Sequence, residues 1–181
     1  MLVFSNCESQ VRVTTSGVGE IKLGMNIQLV RKKMDLSGSS FFGKDISGIY
    51  NGVALTLTVN FQVKDHHTDT LVKSIEIFSN MIGPGGIKIG DDYFKVITNN
   101  TQYFMYISPT LDKVNFGDEI QPPTDMKDIR RRSRFITLQE DPDSDNRILF
   151  NIYNNKVESV KVTSGAIIAF DGPYSDNPGA D

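Results

Sequence analysis

From Val53 to Val63 the chain alternates without a break. Val53, Leu55, Leu57, Val59, Phe61 and Val63 occupy one set of positions, and Ala54, Thr56, Thr58, Asn60 and Gln62 the other. A period of two puts each set on its own side of an extended backbone, so this segment predicts a strand with one buried and one wet face. Shorter runs bounded by Gly, Pro, Asn or Asp predict further strands at 9–15, 71–78, 102–107, 134–140, 147–153 and 156–163. Two stretches have helical spacing instead. Asn26 can cap a run to Met34 in which Ile27, Val30 and Met34 share a face, with Arg31, Lys32 and Lys33 favouring the negative end of the helix dipole. Asp91 or Asp92 can cap a second run, Tyr93 to Ile97. Both are short, so packing onto a sheet has to hold them.

The two helical runs follow similar turns. Gly17-Val18-Gly19-Glu20-Ile21-Lys22-Leu23-Gly24 returns, 66 residues later, as Gly83-Pro84-Gly85-Gly86-Ile87-Lys88-Ile89-Gly90, and Val30 matches Val96 at the same spacing. The closing strands also correspond, with Val72 to Ser79 resembling Val157 to Ser164. Such self-similarity points to duplication. The expectation is an α+β fold of two tandem helix-plus-antiparallel-sheet repeats, 17–79 and 83–164, forming one mostly β domain over 9–170. Gly117 to Ser133, with Pro122-Pro123, reads as an excursion from the second repeat, and 171–181 as an unfolded tail.

Composition narrows the function classes. With 39% apolar and 23% charged residues in 181, the chain has the balance of a globular domain and the length to bury a core without staples. A net charge of −3 gives no electrostatic pull toward nucleic acid, which is not expected as a partner. No stretch of about 18 consecutive apolar residues is present to form a spanning helix.

Candidate chemistry is sparse. Asp141, Asp143 and Asp145 alternate in a short turn and could offer oxygens to calcium, but the sixth and twelfth places of a calcium loop hold Asn146 and Ile152, not Gly and Glu. A polar hairpin turn explains the same residues. The two histidines, His66 and His67, are adjacent and point to opposite sides of any strand, so they read as a hairpin tip and not as a metal pair. Their seclusion also leaves a serine or cysteine nucleophile without a base. The Gly17/Gly19 and Gly83/Gly85/Gly86 turns lack the Gly-Lys-Ser/Thr of a phosphate loop, and their recurrence favours a structural role. Arg130, Arg131, Arg132 and Arg134 form the one concentrated positive run, available to an anionic lipid or acidic partner if it is not simply a solvated loop. No catalytic residue, cofactor or resident metal is expected.

The single cysteine, Cys7, excludes an internal disulfide framework. Two readings of it stand: a buried thiol on a short edge strand, or an acyl-acceptor cysteine. Met1 to Asn6 resembles the tail of a bacterial lipoprotein signal, with Phe4 three places before the cysteine and Asn6 directly before it. A full signal needs a basic start and an apolar stretch of about 7 to 15 residues, so this reading takes 1–8 as a remnant and places the start codon upstream.

A family resemblance points the same way. Val13-Thr14-Thr15-Ser16-Gly17-Val18-Gly19-Glu20-Ile21, Gly86-Ile87-Lys88-Ile89-Gly90-Asp91 and Lys156-Val157-Glu158-Ser159-Val160-Lys161-Val162 look like the uncharacterised sigma-E-regulated envelope lipoproteins of Gram-negative bacteria. The architecture is similar to that of the tandem-repeat β-lactamase-inhibitor proteins. The resemblance implies an outer-membrane or periplasmic address and supports the acyl-acceptor reading of Cys7; the leading expectation is a non-catalytic envelope lipoprotein that acts by binding or scaffolding toward an envelope protein. The competing expectation is a secreted or periplasmic protein-binding or inhibitor module.

Overall fold

The alternating segment becomes β6 (Val53–Lys64), whose Val53, Leu55, Leu57 and Val59 are all buried. The structure, a computed structural model, describes residues 10–39, 45–64, 67–79, 81–111, 128–129 and 131–165. In chain order the elements begin with β1 (Val11–Thr14), β2 (Gly17–Val18), β3 (Ile21–Lys22), α1 (Ile27–Val30), β4 (Asp35–Ser39) and β5 (Asp45–Tyr50). After β6 come β7 (His67–Ile77), β8 (Met81–Ile82), a 3-10 turn Pro84–Gly86 and α2 (Tyr93–Thr98). The chain closes with β9 (Phe104–Ile107), β10 (Ser133–Gln139), β11 (Asn146–Tyr153) and β12 (Lys156–Ser164).

Eight strands form one sheet in the order β4-β5-β6-β7-β12-β11-β10-β9. It consists of two four-strand antiparallel meanders joined where β7 pairs β12, with Ile75 opposite Val162 and Ile77 opposite Val160. Two of its hairpins close over residues at positive φ that suit the twist of the strands: Asn51-Gly52 between β5 and β6, and Asn154-Asn155 between β11 and β12. A second sheet of four short strands, β3-β2-β1-β8, lies over one face. Its Val11, Val13, Val18, Ile21 and Met81 join Ile27 and Val30 of α1, Ile87 after the 3-10 turn and Val96 of α2 in one cluster with the inward residues of β6, β7, β10, β11 and β12. Each fully buried Ile, Leu or Phe there contributes roughly 1.5–3 kcal/mol.

The α+β expectation of two tandem helix-plus-sheet repeats is corrected by this arrangement: the domain is mostly β. The helices have only four and six residues, too short to form a layer, and the small sheet shares the covering of the large one. Past Val30 the chain is exposed at Arg31, Lys32 and Lys33, the last paired with Glu20, and only Met34 returns to the core. The turns read as loops, around Gly17 and after Gly83, supply the short strands and the 3-10 turn. Three further strands, β4, β5 and β8, lie where the sequence pattern predicts none. The segments 117–127 and 171–181 lie outside the described residues.

What the halves share is the local geometry at each helix entry. Gly24 N–H donates to the Val72 carbonyl and Val72 N–H to that of Met25, at 2.8 and 3.0 Å. Gly90 N–H likewise donates to Val157 and Val157 N–H to Asp91, at 2.8 and 2.9 Å. Asn26 caps Gln28 N–H and Asp92 caps Phe94 N–H with their side-chain oxygens. Each helix is therefore held at its start by a cap and two backbone bonds to a long strand.

The Gly85-Gly86 turn carries two left-handed residues, φ +66° and +72°, in different surroundings. A Cβ on Gly85 would stand 2.6 Å from the Asn99 carbonyl, whereas one on Gly86 meets nothing within 4 Å. Gly85→Ala is expected to cost about 3 kcal/mol and Gly86→Ala about 1 kcal/mol, read from urea midpoints.

Asp91 closes the same turn. Its carboxylate accepts from Lys88 N–H and Lys95 Nζ, both at 2.7 Å. Partial burial alone would raise its pKa, but the bonds from Lys95 and Lys88 outweigh that and hold it below the ordinary carboxylate value. Because the folded pKa is depressed, its stabilisation is present above the unfolded-state pKa and is lost as pH falls through the folded one. Asp91→Asn is expected to lower stability by roughly 1–2 kcal/mol at neutral pH and to flatten the acid limb of the stability curve in denaturant titrations across pH.

Candidate functional site

The small sheet and both helices pack on the inward face of the large sheet. The opposite face is therefore the surface on which side chains from distant segments are aligned by strand register. One row crosses six strands: Thr56, Glu76, Lys161, Leu149, Thr137 and Tyr106 lie directly opposite one another in turn. A neighbouring row holds Asp45, Thr58, Ser74, Thr163 and Arg147. A third holds Ser159, Asn151 and Phe135. Residues opposite in an antiparallel ladder point to the same side, so these rows form one surface.

Polar groups on this face interlock. Ser159 Oγ donates to Glu76 Oε1 at 3.0 Å, while Asn151 Nδ2 reaches Ser159 Oγ at 2.7 Å and Glu76 at 3.4 Å. Thr58 Oγ1 donates to Asp45 at 2.8 Å. The centre is buried: Ser74, Thr137 and Ser159 are little exposed, and Phe135 is 9% exposed with its ring 6.0 Å from that of Tyr106. Thr137 Oγ1 and Arg147 Nε are buried without a hydrogen-bond partner among the described residues. A buried polar atom lacking a partner costs free energy, so these two mark where the face is least satisfied. The two longer rows carry Asp45 and Glu76 together with Lys161 and Arg147.

A second polar group stands where the small sheet meets the end of β10. Thr15 Oγ1 donates to Glu140 at 2.6 Å, and burial pushes the Tyr103 phenol up, with Glu140 adding to the shift and Arg12 opposing it. A depression of about 300 Å3 is lined by Gln10, Phe78, Ser79, Met81, Lys88 and Ile89, next to the point where the described chain begins.

The residues singled out from sequence are distributed differently. Cys7, Arg130 and His66 lie outside the described residues. Arg131 is 3.9 Å from Asp128, and Arg132 is exposed, its carbonyl accepting from Asn154 N–H. Arg134 turns to the inward side of β10, opposite Ile152, with its guanidinium 5.1 Å from the Tyr93 ring centroid. That cation–π contact gives Arg134 a packing role apart from its neighbours in sequence. Asp141, Asp143 and Asp145 connect β10 to β11. Asp141 Oδ1 accepts from Asp143 N–H at 2.9 Å and the Asp141 carbonyl from Ser144 N–H at 3.0 Å, an Asx turn. The three carboxylates do not converge, and among the described residues no group of three or more His, Cys, Asp or Glu side chains does. Gly17 lies within β2 and Gly85 within the 3-10 turn; neither stands before a helix longer than six residues.

Sequence reasoning missed Glu76, Asn151, Ser159, Thr137 and Arg147. Each reads in isolation as an ordinary wet-side strand residue; only the register across β7, β12, β11 and β10 brings them together. No described helix is long and apolar enough to cross a membrane. Compared with known protein families, curated proteins and solved structures, the chain matches none.

The Asx turn makes the role of Asp141 measurable. Asp141→Ala is expected to lower stability by about 1 kcal/mol through loss of the turn bond, equally with and without millimolar calcium. A calorimetric melt of the unsubstituted chain that rises with calcium, and does not rise in Asp141→Ala, is the contrary result.

Proposed function

We propose that this chain is a non-catalytic binding protein of the bacterial cell envelope, tethered through an acyl group on Cys7 and engaging an envelope protein with the outer face of its eight-stranded sheet. One observation carries the binding part of this reading. The outer face gathers the Glu76–Ser159–Asn151 network, the buried atoms Thr137 Oγ1 and Arg147 Nε, and the aromatic pair Tyr106 and Phe135 on a rigid antiparallel ladder. Aromatic and polar groups held by hydrogen bonds and ring contacts suit recognition, because little side-chain entropy remains to be lost on binding. Glu76 already accepts from two neighbours, which suits a fixed recognition group better than a proton-transfer group.

The envelope address rests on the sequence resemblance to sigma-E-regulated lipoproteins and on Cys7, which precedes the first strand by only four residues. Dual acylation there would hold the domain close to a bilayer. The inhibitor-module reading draws on the same outer face and differs only in lacking the anchor.

Two measurements separate the parts. Expressed from its own locus, the chain is expected to take up a clickable fatty acid, and Cys7→Ser to abolish labelling; an unlabelled wild type removes the anchor and leaves the secreted module. A photo-crosslinking residue at Leu149, on the outer face, is expected to yield a discrete envelope-protein adduct that the same residue at Lys32 does not. Equal adducts from both positions would overturn the face assignment.

A further inference from the structure

The large sheet has two edges, and they are built differently. At one end β4 reads Asp35-Leu36-Ser37-Gly38-Ser39, with a register shift between Ser37 and Ser39 against β5. A charge, a glycine and a bulge are the features that discourage another strand from pairing with an edge. At the other end β9 reads Phe104-Met105-Tyr106-Ile107 and pairs in unbroken register with β10 alone among the described strands. Phe104 is 54% exposed, Tyr106 52% and Ile107 41%. β9 lies in a run of 16 residues, Val96 to Leu111, that carries no charge, in a chain where 23% of residues are charged.

We propose that two copies of this chain join edge to edge through β9, antiparallel about a two-fold axis at Met105. An edge strand offers a row of backbone donors and acceptors that only another extended strand can match residue by residue. The uncharged run favours a second copy as that strand: self-apposition brings no like charges together, and nothing along the run selects a partner by charge. Centred on Met105, the pairing sets Phe104 opposite Tyr106 of the other copy, twice, giving two aromatic cross-strand pairs on the outer face. The blocked β4 edge stops the assembly at two, because a head-to-tail contact of β9 with β4 would propagate indefinitely. Four residues per strand make a small interface, so association falls in the micromolar range. The inference is independent of the anchor and shares only Tyr106 with the outer face proposed to bind a partner.

Sedimentation equilibrium of the full chain from roughly 1 μM to 1 mM is expected to show a monomer–dimer equilibrium. Phe104→Lys and Tyr106→Glu should each weaken it at least ~10-fold. The double substitution should recover dimerisation to within ~3-fold, because the introduced lysine then faces the introduced glutamate of the other copy. In the unsubstituted chain, hydrogen exchange of the β9 amides should slow with concentration while that of the β4 amides does not, a readout that survives if a variant fails to fold. Monomer at every concentration, concentration-independent exchange in β9, or failure of a folded double variant to recover each overturns the proposal.

Discussion

The pairing of β7 with β12 is the constraint on which the rest of the molecule depends. Across it Ile75 meets Val162 and Ile77 meets Val160 on the inward side, while Glu76 meets Lys161 and Ser74 meets Thr163 on the outer side. All four apolar residues are fully buried. A slip by one residue would exchange the two faces, placing Glu76 in the core and Ile75 in water, so burial fixes the register strongly. Both β7 and β12 also anchor a helix entry, through Val72 and Val157. The seam therefore aligns the core, the helices and the outer face together.

That dependence explains why the polar network belongs to the fold as well as to the surface. Glu76 comes from the first meander, Ser159 and Asn151 from the second, and their bonds span 83 and 75 residues of sequence. Inside a partly buried setting such bonds are stronger than in water, and leaving one member unpaired is costly. The outer face is thus stiffened at the seam by side chains, as the inner face is by packing.

The legible parts of the sequence were those written in local periodicity. The alternation of β6 and the bounded apolar runs of β10, β11 and β12 gave strands within one or two residues of their observed ends. Capping residues located both helix starts, because Asn26 and Asp92 act through bonds two residues away. Helix length, and with it the fold class, was over-read: apolar spacing at Val30 and Met34 continues past the end of the helix, across the exposed Arg31 to Lys33. β4 and β5 were illegible because Ser, Gly and Asp fill them, and their pairing comes from β6. The outer face was invisible for a different reason. Its members share no local pattern, and only long-range register assembles them.

Two-residue turns, Asn51-Gly52 and Asn154-Asn155, join β5 to β6 and β11 to β12, whereas the seam must bring together residues more than eighty positions apart. Loop-closure entropy makes neighbouring hairpins quick to form and distant pairings slow. The β5–β6 and β11–β12 hairpins are therefore expected to form before the β7–β12 ladder that joins the two halves. Until it closes, each half presents a bare, apolar strand edge to its surroundings, so the interval before closure is when the nascent chain is most exposed to mispairing.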